Sequence, residues 1–230
     1  MNKLYTAVGC LQCKGRRNGK RYPTVTLNRK EYILDMQEMM LWSILNWRIL
    51  SMDELQTLYE QKEKETGYFP QRSAEDCMRR LLQRGLIADG SGETGADALY
   101  GLLSELYVVP ISENLLLRLF SFVRLTVLDG IPYKVAKSIF SRDKRSDGEK
   151  QVMRLANRAI LSTAEMIKCI EQRATDFSSE DELMQILYRD DYTTSDNLAE
   201  ETRTLPECRP VLTSIANLYL RRQILFERAA

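Results

Sequence analysis

The sequence predicts a mainly α-helical chain, and three observations carry that expectation. Apolar residues recur at spacings of three and four along most of its length, Ser-initiated boxes with an acid three residues later mark helix starts, and glycines mark helix ends. The composition, 44% hydrophobic and 28% charged over 230 residues, is that of a folded protein. Collagen-like, low-complexity and disordered chains are excluded. The length suits two small domains with a leading segment, divided as 1–30, 31–110 and 111–230.

Between Glu31 and Leu50 the chain is apolar at Tyr32, Ile33, Leu34, Met36, Met39, Met40, Leu41, Ile44, Leu45 and Trp47, with Asp35, Glu38 and Asn46 forming a narrow polar stripe, which predicts one helix buried on most sides. Ser51 to Glu54 is a capping box opening a second helix, which Gly67 ends. Ser73 to Asp76 caps a third, with Cys77, Met78, Leu81 and Leu82 inward and Arg79, Arg80 and Gln83 outward, and Gly85 stops it. Leu86 to Ala88 reads as a short strand, Asp89 to Gly92 as a tight turn, and Ala96 to Tyr107 as a fourth helix.

Beyond Pro110 the reading is helical throughout. Ser112 caps an apolar segment from Leu115 to Leu128, and a short helix is expected over Lys134 to Phe140, followed by a loop from Ser141 to Gly148. Glu149 to Ala174 reads as one long amphipathic helix whose Val152, Ala156, Ala159, Thr163, Met166 and Ile170 keep a coiled-coil spacing. Ser179 to Glu182 opens another helix, Asp190 to Arg209 is a polar loop, and Pro210 sits in the first turn of a last helix carrying Leu212, Ile215, Leu218, Tyr219 and Leu225. No internal repeat is visible.

The net charge is only +1, but its distribution is uneven. Residues 1–30 hold Lys3, Lys14, Arg16, Arg17, Lys20, Arg21, Arg29 and Lys30 and no acid, whereas 31–110 hold 7 basic and 14 acidic residues. A cationic head on a neutral to acidic body points to an anionic partner. Tyr5 to Val8 and Tyr22 to Leu27 are expected to pair as a β-hairpin presenting Lys14, Arg16, Arg17, Lys20 and Arg21. Such a loop would gain affinity for double-stranded DNA, or for RNA, by releasing counterions. A solvated tail is the other reading of that charge run.

Three helices, a short strand, a Gly turn and a further helix make the pattern of a winged helix-turn-helix. The run Leu81 to Gly92, "LLQRGLIADGSG", resembles the recognition helix and wing of bacterial regulators of the MarR and PadR types. The resemblance covers about a third of the chain. It implies a DNA-binding transcription regulator, or a replication or mobile-element accessory factor, in which Gln71, Arg72, Ser73, Arg79 and Arg80 approach DNA. The sequence departs from the pattern in two ways: Glu93 to Asp97 leads into a helix where a second long strand is expected, and the third helix opens with Glu75 and Asp76, which would face phosphate. The alternative is a non-enzymatic adaptor that uses a winged helix for protein contacts.

Histidine is absent, which removes histidine-based catalysis and histidine-ligated zinc, and no other catalytic constellation is present. The chain is not expected to be an enzyme. Cys10-Leu11-Gln12-Cys13 supplies half of a tetrahedral zinc site, which two protomers would have to complete; otherwise the pair is two plain thiols. No metal or cofactor is assigned. Five cysteines, an odd number, fit a reducing cytoplasm. Ala7 to Cys10 loosely matches a lipoprotein box but lacks a long enough apolar region before it, and no window free of charge is long enough to span a membrane. The apolar segment 115–128 and the coiled-coil spacing predict a homodimer through the C-terminal helices.

Overall fold

The computed structural model describes residues 1–12, 16–17, 20–67, 72–111, 145–174, 177, 179–189 and 192–228. The chain is mixed α/β, rich in helix, with small antiparallel sheets. The expectation of a mainly α fold is corrected by those sheets. In order, the described elements are β1 (Asn2–Ala7), β2 (Cys10–Gln12), β3 (Arg16–Arg17), β4 (Lys20–Arg21), β5 (Thr24–Leu27), β6 (Lys30–Ile33), α1 (Met36–Leu45), α2 (Met52–Thr66), α3 (Ala74–Gln83), β7 (Ile87–Gly92), α4 (Gly95–Leu103) and β8 (Tyr107–Pro110). Then come α5 (Asp147–Arg158), β9 (Leu161–Ser162), α6 (Thr163–Glu171), α7 (Glu180–Leu187), α8 (Leu198–Thr202), α9 (Cys208–Leu220) and β10 (Ile224–Glu227).

In the first half β1 is a central strand. One edge runs antiparallel to β7, from Asn2 opposite Gly92 to Ala7 opposite Ile87. The other edge is bridged at Tyr5, whose amide donates to Leu50 (2.8 Å) and whose carbonyl accepts from it (3.1 Å), immediately before α2. Helices α1, α2 and α3 cover this sheet and bury Leu41, Leu45, Leu55, Cys77, Met78 and Leu81. The Ser51 capping box starts α2, Ser73 caps α3, and Gly67 and Gly85 end them with φ of 62° and 72°. Trp42 Nε1 donates to the Leu86 carbonyl at 3.0 Å, fixing α1 to the start of β7.

The second half builds the same arrangement again. Strand β8 is central, paired with β10 on one side and with β9 on the other, and β9 runs directly into α6 as Leu50 runs into α2. The first helix of each unit opens with a capping box whose glutamate is buried, Asp35 with Glu38 and Ser146 with Glu149. The second helices open on Ser51 with Glu54 and Ser162 with Glu165. Each third helix buries a leucine (Leu81, Leu218), ends on an arginine (Arg84, Arg221), passes through one residue of positive φ (Gly85, 72°; Arg222, 59°) and enters a strand at an isoleucine (Ile87, Ile224). An internal repeat is therefore present in topology and burial. Strands β2 to β6 are inserted between central strand and first helix of the first unit, and α7 and α8 between second and third helices of the second.

Several expectations change accordingly. The helix over Glu31–Leu50 shortens to α1, because the Asp35 carboxylate accepts the amides of Gln37 (3.0 Å) and Glu38 (2.9 Å) and Tyr32 and Ile33 serve β6. Tyr5–Val8 does not pair with Tyr22–Leu27: β1 takes β7, and β5 takes β2, from Cys10 opposite Thr26 to Gln12 opposite Thr24. Asp89–Gly92 is strand rather than turn. The fourth helix ends at Leu103, and Tyr107 begins β8. The C-terminal half is not all-helical, since β8, β9 and β10 form its sheet.

The long helix over Glu149–Ala174 is broken at 159–162 by the Ser162 capping box, so the coiled-coil seam is lost and Ile160 is 68% exposed. The polar loop 190–209 contains α8 and its last two residues, Cys208 and Arg209, already belong to α9, and Leu225 lies in β10 rather than the last helix. The expected helices over 112–128 and 134–140 lie outside the described residues. The two units pack together: the Tyr219 hydroxyl of α9 lies 3.0 Å from Thr6 Oγ1 in β1, and Gly9 donates to the Phe226 carbonyl at 2.8 Å.

Candidate nucleic-acid interface

The basic head is a hairpin, although not the one read from the sequence. Its stem is β2 with β5, and its outer part is β3 with β4, where Arg16 stands opposite Arg21 and Arg17 opposite Lys20 in backbone register. A two-stranded ladder composed wholly of cationic residues is destabilised by like-charge opposition unless an anion sits against it. Lys14 lies outside the described residues.

Arg29 and Lys30 are exposed at the other end of the sheet. Asn28 and Arg29 both take positive φ (49° and 62°) in the two-residue turn joining β5 to β6, the conformation a tight hairpin of that length demands. The eight cations of residues 1–30 are thus spread over at least two places. Lys3 is in neither, being paired with Asp89 on β7 at 2.8 Å.

At the third helix the sequence-predicted residues meet carboxylates. Arg72 pairs with Asp35, its carbonyl accepts from Gln37 Nε2, and the guanidinium holds its proton more tightly for that pairing. Burial opposes ionisation of Asp35, but the amides of Glu38 and Gln37 and the Arg72 guanidinium outweigh it, and its carboxyl lies below the usual value. Ser73 Oγ is taken up as the cap of α3, accepting from the Asp76 amide at 3.1 Å. Arg79 pairs with Asp76 at 3.1 Å and is the most exposed of these arginines, at 68%. Arg80 Nε lies 3.1 Å from Glu38 Oε1, an ion pair without hydrogen-bond alignment. Gln71 lies outside the described residues.

Arg80 is therefore no free surface cation. It faces a glutamate side chain only 2% exposed, so its removal takes a partner from a buried charge. The residues that sequence reasoning missed are the ones that organise this junction: Asp35 and Glu38 in the first turn of α1, and Arg84 at the end of α3. Arg84 Nη1 donates to Glu38 Oε2 at 2.9 Å, Nη2 donates to the Ile33 carbonyl at 2.8 Å, and the guanidinium lies 5.6 Å from the centre of the Tyr32 ring. The D-x-x-E box at 35–38 was the available signal.

Burial pushes the thiols of Cys10, Cys77 and Cys208 up, and that of Cys169 up to about 12, so these cysteines stand as protonated thiols rather than reactive thiolates. Cys10 is half-buried in β2; Cys13 lies outside the described residues. Among the described residues no three of Cys, Asp or Glu gather as a metal site. Compared with models of protein families, with curated proteins and with solved structures, the chain matches none.

Proposed function

We propose that the protein binds double-stranded DNA through its basic hairpin, as a transcription regulator or a replication or mobile-element accessory factor. The observation that carries this reading is the all-cationic ladder of β3 and β4, which a phosphate backbone would neutralise. The winged-helix reading takes the three helices of the first unit together with β1, the Leu50 bridge and β7 as its strand positions, with the central strand supplied from upstream as β1. A strand so placed leaves no wing loop after β7, so the hairpin takes the wing's part as the basic projection. Positions 16, 17, 20 and 21 bind phosphate, Arg29 and Lys30 extend the basic surface, and Arg79 is the cation of α3 best exposed to reach a groove. No helix among the described residues is long and apolar enough to cross a membrane.

One observation favours a second reading, an adaptor that binds protein. The exposed first turn of α3 carries Glu75 and Asp76, and Arg72, Arg79 and Arg80 each already face a carboxylate. A gel shift on a DNA duplex at increasing salt separates the two. Binding that weakens steeply with salt supports the first, and no binding at low salt supports the second. A homodimer through the C-terminal helices rests on the apolar segment 115–128, since the coiled-coil seam is interrupted.

A further inference from the structure

We propose that Arg84 is a positioning residue: it holds the sheet of β2, β5 and β6 in one fixed orientation on α1 and α3, so that hairpin and α3 meet a single duplex together. This rests on the DNA reading above. Arg84 joins three elements at once. Its guanidinium forks between the buried Glu38 carboxylate of α1 (2.9 Å) and the Ile33 carbonyl of β6 (2.8 Å) and lies over the Tyr32 ring of the same strand, while its own backbone ends α3.

The second unit provides an internal control. Arg221 occupies the same place at the end of α9 and bonds Glu149 at 3.2 and 3.3 Å, the counterpart of Glu38. Among the described residues its guanidinium reaches no strand and no ring. Both units thus share the glutamate–arginine pair, and among the described residues a bond to a strand carbonyl and an approach to a ring are made by Arg84 and not by Arg221. A lysine keeps a charge for Glu38 but cannot fork to a carbonyl and lie flat on a ring at the same time.

The test compares four proteins: parent, Arg84→Lys, Arg221→Lys, and the hairpin variant with Arg16, Arg17, Lys20 and Arg21 all changed to Ala. Melting temperature and affinity for one DNA duplex are measured over a range of salt. Both lysine variants should stay cooperatively folded, with Arg84→Lys the less stable of the two because it also loses the Ile33 bond. Arg84→Lys should bind about tenfold more weakly with a salt slope shallower by about 1 to 2, because fewer phosphates are engaged together, and Arg221→Lys should bind as the parent does. Parent affinity and slope in Arg84→Lys, or equal losses in both lysine variants, would overturn the positioning role. If the hairpin variant itself binds as the parent does, the DNA reading fails first, a result that is distinguishable.

Discussion

Arg221 Nη1 lies 3.3 and 3.2 Å from the two carboxylate oxygens of Glu149, a side chain only 3% exposed, and so ties the end of α9 to the first turn of α5. Arg84 and Glu38 make the corresponding tie in the first unit. Glu149 also accepts from the Ser146 amide at 2.9 Å, so it keeps one partner when the arginine is removed. Arg221→Ala should therefore cost about 1 to 3 kcal/mol, less than a fully stranded charge would, and changing both residues to leucine should recover part of the loss. Denaturant unfolding of the single and double variants checks this; an unchanged midpoint in Arg221→Ala would contradict it.

Tyr219 joins the two units. Its hydroxyl accepts from the Trp47 amide at 3.0 Å and lies 3.0 Å from Thr6 Oγ1, and Trp47 takes a positive φ of 57° to present that amide. Tyr219→Phe leaves the amide without a partner, and the expected loss is about 1 to 3 kcal/mol. Burial also pushes the phenol up to about 12 from 10.0. The raised value means the fold favours the protonated phenol, so this stabilisation is complete below pH 10 and is lost as pH rises towards 12. The parent should lose stability faster than Tyr219→Phe over that window in alkaline melts.

Gly90 is required for space rather than for conformation. A Cβ there would run into the Leu102 backbone and stand 2.6 Å from the Ala98 carbonyl oxygen, because α4 lies directly on β7. Gly90→Ala must lift α4 off the strand, with an expected cost of about 3 kcal/mol or more. Gly95→Ala, where a Cβ meets nothing, is the matched control; equal melting of the two would contradict the packing.

Asp97 is held to about 2 by the Arg203 guanidinium and by the hydroxyl and amide of Thr94. A depressed carboxyl stabilises the fold above its ordinary value of 3.8 and loses that contribution as pH falls through about 2. Arg203→Ala should raise the Asp97 midpoint towards 3.8 in a carboxyl NMR titration. A midpoint that stays near 2 would assign the shift to Thr94 alone.

How much of this was legible follows from where each signal sits along the chain. The starts of α2 and α3 and the glycines ending them are local, and side chains three residues apart announce them. The boxes at Asp35 and Ser162 are equally local, but each lies against apolar residues that extend a helical pattern across it, so the longer period masks the stop, whereas the box at Ser146 lies in a polar, Gly-containing run that reads as a loop. Strand β1 pairs with residues eighty to ninety positions away, and such pairing leaves no neighbouring mark. The repeat stayed hidden because its positions share chemistry more than identity: Gly85 and Arg222 both turn the chain at positive φ, and Asp35 and Ser146 both cap. At the interface the cations were plain from composition. Their partners were not, since Arg72 and Arg80 meet carboxylates that lie about forty residues earlier.

The proposed function turns on neutralisation of phosphate by the ladder of Arg16, Arg17, Lys20 and Arg21. It is tested most directly by the salt dependence of duplex binding, measured by fluorescence anisotropy for the parent and the four-alanine hairpin variant. The variant should bind more weakly on every duplex sequence, with the logarithmic slope against salt reduced by about 0.9 for each phosphate no longer neutralised, and it should melt as the parent does. Equal affinity and equal slope in the two proteins would contradict the account and leave the adaptor reading in its place.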